Sequence, residues 1–142
     1  MDTKIFKLYL RLAISIGFLS AVADRFGLWP KEISAWGNWE SFLEYTQLLN
    51  PLIPASAIPA LGIIATAAEI LFGICLIIGF KTETIAKASG LLILLFGLAM
   101  SFSTGVKGAL DYSVFAASAA AFALSAIKDK YLELDMFISK NN

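Results

Sequence analysis

Four long apolar stretches dominate the chain, and short polar segments separate most of them. About 20 apolar residues in an α-helix are long enough to cross the hydrocarbon core of a bilayer. The pattern therefore predicts four membrane spans, at about residues 8–28, 60–80, 85–104 and 109–127. Spans 2 and 3 are joined by a tight turn at Lys81–Thr84. We predict an all-α integral membrane protein, a four-helix transmembrane bundle in one domain, residues 1–142.

The connection between spans 1 and 2 is long and carries a helical pattern of its own. Asn38 is a suitable N-cap, Glu40 would lie in the first turn, and Asn50-Pro51 ends the pattern. Its apolar positions can form one stripe, made of Trp36, Trp39, Leu43 and Leu49. We predict a short amphipathic helix at about residues 39–49 that lies in the membrane interface. The pattern leaves open whether this helix is a lid over a ligand or a simple cover.

The first span also has features of a cleavable signal peptide. Lys4 and Lys7 precede its apolar run, and Ala21-Val22-Ala23 resembles a small-residue cleavage site. However, Arg11 interrupts the start of the run, and three further spans follow. We therefore expect span 1 to remain part of the folded protein.

The distribution of Lys and Arg predicts the orientation of the spans. With four spans, both termini and the turn between spans 2 and 3 lie on one side of the membrane. That side carries eight basic residues: Lys4, Lys7, Arg11, Lys81, Lys87, Lys128, Lys130 and Lys140. The other side carries three: Arg25, Lys31 and Lys107. Both termini are predicted to be cytoplasmic.

Composition narrows the classes of function. Hydrophobic residues make up 58% of the chain, more than the roughly 45–50% of a soluble globular domain. Eleven basic and eleven acidic residues balance, so no nucleic-acid partner is indicated. The chain has no histidine, and the single cysteine, Cys75, excludes an internal disulfide or a CxxC redox pair. We therefore expect no metal site.

Glu69 is the most informative residue, because it lies near the centre of span 2. An unpaired, ionised carboxylate at that depth costs several kcal/mol, so it must be protonated or paired. Gly62, Thr66 and Gly73 share its helix face, and small residues on such a face favour close helix contact. Glu69 is the best candidate for a catalytic residue; the alternative is a structural hydrogen bond between helices.

The adjacent pair Asp24–Arg25 follows a long uncharged run in span 1. Arg11 is long enough to extend to the cytoplasmic headgroups, whereas Asp24 is short and needs a partner or water. We predict that Asp24–Arg25 forms the outer wall of a polar chamber whose floor is Glu69, with a forked hydrogen bond from Arg25 to Glu69. The alternative is a plain helix end at the membrane surface.

Asp111 and Tyr112 lie at the turn between spans 3 and 4, on the same side of the membrane as Arg25. Lys107 and Asp111 are four residues apart, which favours an ordinary surface pair on one helix. The alternative is that Asp111 forms the rim of the polar chamber and that the Tyr112 phenol donates a hydrogen bond into it.

Over nearly its whole length the chain resembles the DoxX family of small bacterial four-span membrane proteins (DoxX/DoxD-like). The resemblance runs through RLAISIGFLSAVADRFG, WGNWESFLEYTQLLNP, AAEILFGICLIIGF and GALDYSVFAASAAAF. Matching positions include Arg11, Glu69, Gly73 and Gly79. The resemblance implies a four-helix transmembrane bundle in the bacterial inner membrane.

The resemblance also implies a link to membrane oxidoreductases, such as a thiosulfate:quinone oxidoreductase. Two interpretations remain. In the first, the protein is a subunit or accessory of a quinone-linked oxidoreductase system, and it binds quinone or lipid without a covalent cofactor. In the second, it is a non-enzymatic scaffold that binds lipid or a partner, and its buried charges are structural. A partner subunit or a homo-oligomer fits either interpretation.

Overall fold

The computed structural model describes residues 2–138, with Ile138 described for its backbone alone. Lys140, counted above, lies outside these residues. Within them the chain is helical and has no strand. The helices are α1 (Thr3–Arg25), α2 (Trp39–Leu49), α3 (Ile58–Ile78), α4 (Thr82–Thr104), α5 (Val106–Asp111), α6 (Val114–Ala126) and α7 (Asp135–Ile138). A 3-10 turn at Ala55–Ala57 leads into α3. The prediction of an all-α protein is confirmed.

Among the residues described, three helices are long and apolar enough to cross a membrane: α1, α3 with its leading turn, and α4. The predicted fourth span, residues 109–127, is wrong as one continuous helix. The chain breaks between α5 and α6, where Ser113 adopts a left-handed backbone conformation with φ of 56°. The 13 residues of α6 rise about 20 Å, which is less than the thickness of a bilayer core.

The long helices pack through small residues that admit large side chains from their neighbours. A Cβ added at Gly90 would lie 3.0 Å from the Phe122 ring, and one at Gly97 would lie 3.0 Å from the Phe115 ring. The Ser118 hydroxyl also donates a hydrogen bond of 2.8 Å to the Gly90 carbonyl. Close packing of α4 against α6 therefore depends on the absence of a side chain at these glycines.

The interior of the bundle holds charged and polar side chains beside an apolar core, and large apolar side chains stand on its outer surface. Among the buried groups are Arg11, Ser15, Glu69 and Ser89, each at most 2% exposed. Large apolar side chains stand on the outer surfaces of α1, α3 and α4, among them Ile16, Ile64, Leu95 and Phe102. A water-soluble bundle seldom carries so many large apolar side chains on its surface or so many charged ones in its interior. The arrangement is compatible with a membrane protein.

Helix α2 begins and ends where the sequence predicts. The Asn38 side chain accepts a hydrogen bond of 2.8 Å from the Ser41 amide, which caps the first turn. The face that packs on the bundle includes the buried Phe42 and Thr46, and it also includes Trp39 and Leu43 of the predicted stripe. A Cβ added at Gly62 of α3 would lie 2.6 Å from Leu43, 3.2 Å from the Phe42 ring and 3.6 Å from Trp39. We call the end of the bundle that carries α2 the α2 end.

The opposite end is closed by the last described residues, 128–138, which we call the tail. The Leu134 amide donates to the Ile78 carbonyl at 3.0 Å, and the Asp135 amide donates to the Gly79 carbonyl at 3.1 Å. The chain reverses here at residues 79–81 and α4 begins at Thr82, so the predicted turn at 81–84 is placed too late. We call this end the tail end.

Candidate functional site

Arg25 and Glu69 form a buried ion pair at the α2 end. The Nη1 atom of Arg25 lies 2.5 Å from Oε2 of Glu69, and Nη2 donates to Oε1 at 3.0 Å. The side chains are 3% and 2% exposed. Two parallel contacts between a planar guanidinium and a carboxylate fix orientation as well as charge. This is the forked contact between α1 and α3 that the sequence predicts.

The rest of the Arg25 side chain is enclosed by α2 and α3. Nη1 also donates to the Thr66 hydroxyl at 2.8 Å. The guanidinium carbon lies 4.0 Å from the centre of the Phe42 ring and 5.4 Å from that of Trp36, which are cation–π distances. Within residues 2–138, the buried Nε atom of Arg25 has no hydrogen-bond partner. The pair is thus roofed by aromatic rings, with one donor left free.

Asp24 serves a different part of the molecule from its neighbour. Its carboxylate accepts hydrogen bonds from the Ser34 hydroxyl and from the amides of Ala35 and Trp36, the last two at 3.0 and 2.9 Å. The expectation that Asp24 forms the wall of a chamber with Glu69 is therefore wrong. Adjacent helical residues point about 100° apart, and Asp24 uses its direction to hold the loop that leads to α2.

Asp111 and Tyr112 do not reach the buried pair. Asp111 pairs with Lys107 at 2.6 Å, and these side chains are 57% and 85% exposed. Tyr112 is 78% exposed, because it follows the end of α5 at the surface. Burial raises the pKa of the Tyr45 phenol of α2, and the nearby Tyr112 raises it further. The proposed rim role of Asp111 and Tyr112 is wrong, and the surface-pair alternative for Lys107–Asp111 is correct.

An apolar groove runs along the bundle surface beside the buried pair. It has a volume of about 440 Å³ and is lined by Phe26, Trp39, Ile63, Thr66, Ala67 and Ile70. The Phe26 and Trp39 rings stack across one end, with centres 6.0 Å apart and planes 8° from parallel. Thr66 is the polar contact of this groove, and its hydroxyl also holds Arg25. The groove therefore lies beside the Arg25–Glu69 pair, with Thr66 between them, and neither member of the pair lines it.

A second groove of about 430 Å³ lies on the other side of α1. Gly17, Ser20 and Asp24 line it from the helix, and Trp29 and Trp36 are among the loop residues that line it. The Trp29 indole donates to the Ser20 carbonyl at 3.2 Å. This groove faces the loop anchored by Asp24, on a side of α1 that Glu69 does not line.

Arg11 is the centre of a second polar cluster, at the tail end. Its guanidinium donates to four carbonyls: Leu76 and Ile77 at 2.8 Å each, Tyr131 at 2.9 Å and Leu132 at 3.0 Å. The side chain is 0% exposed. The prediction that Arg11 extends to lipid headgroups is wrong. The last carbonyls of α3 lack partners within their helix, and they provide acceptors inside the protein.

Glu133 completes the cluster, although no pattern in the sequence pointed to it. Its Oε1 atom lies 2.8 Å from Lys7 Nζ and 3.8 Å from Arg11 Nη1. Lys7 Nζ also donates to the Asp129 carbonyl at 2.7 Å. Glu133 is only 1% exposed, although it comes from a short polar stretch near the end of the chain. The available signal was its charge opposite two basic residues of span 1, but the sequence does not show that the tail folds back.

No arrangement suited to a metal ion is present among residues 2–138, where no three Cys, Asp or Glu side chains cluster appropriately. Comparisons with protein-family models, with curated proteins and with solved structures found no match to this chain. The resemblance to the DoxX family therefore stays a prediction from the sequence, and the function must be argued from the site itself.

Proposed function

We propose that the protein is a DoxX-like integral membrane protein that binds a quinone at the Arg25–Glu69 pair, as a subunit or accessory of a quinone-linked oxidoreductase. Partner proteins supply the electrons. Reduction of a quinone to a quinol consumes two electrons and two protons, and Glu69 exchanges protons with the bound ring. The observation that carries this proposal is the apolar groove lined by Thr66, whose hydroxyl accepts a hydrogen bond from Arg25.

The groove has the chemistry that a lipid-soluble carbonyl compound needs. Its walls are aliphatic and aromatic, and Phe26 and Ile63 are more than half exposed on the outer surface. A ligand dissolved in lipid can therefore approach from the side. The Thr66 hydroxyl accepts a hydrogen bond from Arg25 and, within residues 2–138, donates none. Its proton is available for a ligand carbonyl, and the free Nε of Arg25 is a second donor nearby.

The proposed topology has four spans in the bacterial inner membrane, with α5 and α6 together forming the last span. Helices α5 and α6 and the two residues between them cover residues 106–126, enough for one crossing if the break is tolerated inside the protein. Helix α2 lies in the outer interface and covers the quinone site. Both termini are cytoplasmic, in accord with the eight-to-three distribution of basic residues.

A scaffold role is the second candidate, and one observation favours it. Phe42 and Trp36 of the α2 region roof the guanidinium, and Glu69 is 2% exposed. A pair so enclosed can act as a clamp that fixes α1, α2 and α3 without any ligand. In this interpretation lipid fills the groove, and no compound exchanges protons with Glu69.

Titration with decylubiquinone distinguishes these candidates. Quinones quench indole fluorescence, and the Trp29→Phe variant leaves only Trp36 and Trp39, both at the α2 end. In lipid nanodiscs the quinone proposal predicts saturable quenching. Thr66→Val should weaken that binding about threefold to tenfold, because it removes one hydrogen bond worth about 0.5–1.5 kcal/mol.

Thr46→Val is the matched control. Thr46 is also buried, but its hydroxyl donates to the Phe42 carbonyl within α2. The control should leave the quinone affinity unchanged. Quenching that rises linearly with quinone and is equal in all variants would contradict a quinone site and favour the scaffold.

A further inference from the structure

The tail is held at its end of the bundle by two carboxylates that occupy two different positions. Glu133 lies against Lys7 and Arg11, as described above. Asp135 accepts hydrogen bonds from the amides of Lys81 and Thr82, at 2.7 and 2.9 Å. These amides begin α4, where the helix dipole favours a negative group. Glu133 and Asp135 therefore bind two separate positive features of the bundle: the basic side chains of α1 and the start of α4.

The backbone of the tail is recognised as well. Two tail amides pair with the carbonyls that end α3, and two tail carbonyls accept from Arg11. A free anion could meet Lys7 and Arg11, but it could not supply these main-chain contacts. The site thus has the features of a peptide-binding site: it binds two successive carbonyls and then two successive amides of the tail, and it has two charge pockets two residues apart.

Burial of apolar surface contributes little to this contact. Leu132 is 63% exposed, Leu134 is 40% exposed and Phe137 is 70% exposed. Glu133 is the one buried side chain of residues 128–137. A hydrogen bond within a protein replaces one to water, so its net contribution to stability is modest. Burial of apolar surface supplies most of the favourable free energy of stable packing. The tail is therefore attached by an interaction that can open.

An open tail would leave the rest of the site in need of an anion. Lys7 and Arg11 are 4% and 0% exposed, and within residues 2–138 their ion pairs are with Glu133 alone. Both exposures hold with the tail docked; opening would uncover two neighbouring positive charges, which favour another acidic occupant. The carbonyls that end α3 and the amides that begin α4 would also lose their partners.

We propose that Lys7, Arg11, the end of α3 and the start of α4 form a binding socket for a short acidic peptide of the pattern Glu-x-Asp. The tail of the chain is the detachable occupant of this socket. An acidic segment of another protein with the same pattern competes for it. The socket lies at the end of the bundle opposite the Arg25–Glu69 pair, so it does not depend on quinone binding.

Release of the tail can be measured by deuterium labelling of the full chain. The Leu134 and Asp135 amides are bonded to the carbonyls of Ile78 and Gly79 while the tail is docked, so they exchange when it opens. The pair of changes Glu133→Gln and Asp135→Asn removes both acids while keeping side-chain size, and it should raise the labelling rate about tenfold or more. Asp129→Asn is the control, because the Asp129 side chain forms no ion pair within residues 2–138. It should leave the rate unchanged.

Binding in trans tests the socket itself. The probe is a fluorescent peptide with the sequence of residues 131–137, YLELDMF, and its matched control is YLQLNMF, which has the same apolar residues. The acidic peptide should bind the Glu133→Gln, Asp135→Asn protein at least about tenfold more tightly than it binds the unaltered protein, whose socket is filled.

Each outcome decides one part of the proposal. An unchanged labelling rate in the double variant would overturn the detachable tail. Labelling that rises while the two peptides bind equally would overturn the acidic-peptide socket and leave only a weakened tail. Rapid labelling together with preference for the acidic peptide supports both parts.

Discussion

Each end of the bundle contains a buried arginine, and the two arginines are satisfied in different ways. Arg25 meets a side chain: both oxygens of Glu69 lie within 3.0 Å of its guanidinium. Arg11 meets backbone: four carbonyls accept its hydrogen bonds, and the nearest carboxylate oxygen is 3.8 Å away. Arg25 forms an ion pair between α1 and α3. Arg11 is a hub of hydrogen bonds to backbone carbonyls, which caps the end of α3 and holds the tail.

This difference has consequences for stability. An ion pair can be relieved by neutralising its partner, because the cost of removing one member is largely that of an uncompensated charge. The loss of Arg11 cannot be relieved in this way, because most of its partners are backbone carbonyls. Backbone carbonyls cannot be removed by mutation, so the loss of Arg11 leaves the Leu76 and Ile77 carbonyls near the end of α3 unpaired whatever happens to Glu133.

The largest expected effect follows from the hub. Arg11→Ala removes four hydrogen bonds and the nearby positive charge from a fully buried position. We expect a loss of about 3–5 kcal/mol in the free energy of unfolding, measured by denaturant in detergent micelles. Adding Glu133→Gln should recover little of it. Recovery of most of the loss would show that Arg11 acts mainly through the carboxylate.

Gly79 gives a smaller and more local effect. It has φ of 70°, and a Cβ there would lie 2.5 Å from the Glu133 Cα atom. Gly79→Ala should cost about 1–3 kcal/mol through backbone strain and should push the tail away. Gly105 is the control, because its φ is 93° but an added Cβ meets nothing within 4 Å. Only Gly79→Ala should speed deuterium labelling of the Leu134 and Asp135 amides; equal rates would contradict the close contact.

The smallest expected effect is at the exposed pair Lys107–Asp111. Both side chains are more than half exposed, and exposed pairs four residues apart on a helix are worth about 0.3–0.5 kcal/mol. Lys107→Ala should therefore change thermal stability by less than about 0.5 kcal/mol and leave decylubiquinone affinity unaltered. A large change in either quantity would return Asp111 to the functional site.

The sequence predicts the α2 end better than the tail end, for physical reasons. Glu69 is a charge in the middle of an apolar helix and so demands a partner, and Arg25 is the nearest candidate that is long enough. Helix α2 is bounded by a capping residue and a proline. The inward face of α3 follows from small residues at helical spacing, and Gly62, Thr66, Glu69 and Gly73 are all buried as predicted.

The tail end depends on contacts between distant parts of the chain. Arg11 and Tyr131 are 120 residues apart, and backbone carbonyls carry no sequence signal. Glu133 lies in a stretch near the end of the chain whose charged residues predict exposure to solvent. The break at Ser113 was also missed, because its left-handed conformation gives no clear signal in a run of small and apolar residues. Local rules do not predict where such a segment docks.

The central claim is that Arg25 and Glu69 form a directly coupled buried pair, whereas Arg11 acts mainly through carbonyls. Two double-mutant cycles on unfolding free energy test it most directly: Arg25→Ala with Glu69→Gln, and Arg11→Ala with Glu133→Gln. We expect a coupling energy of about 2 kcal/mol or more for the first cycle and below about 1 kcal/mol for the second. Additive effects in the first cycle, or stronger coupling in the second, would contradict the account.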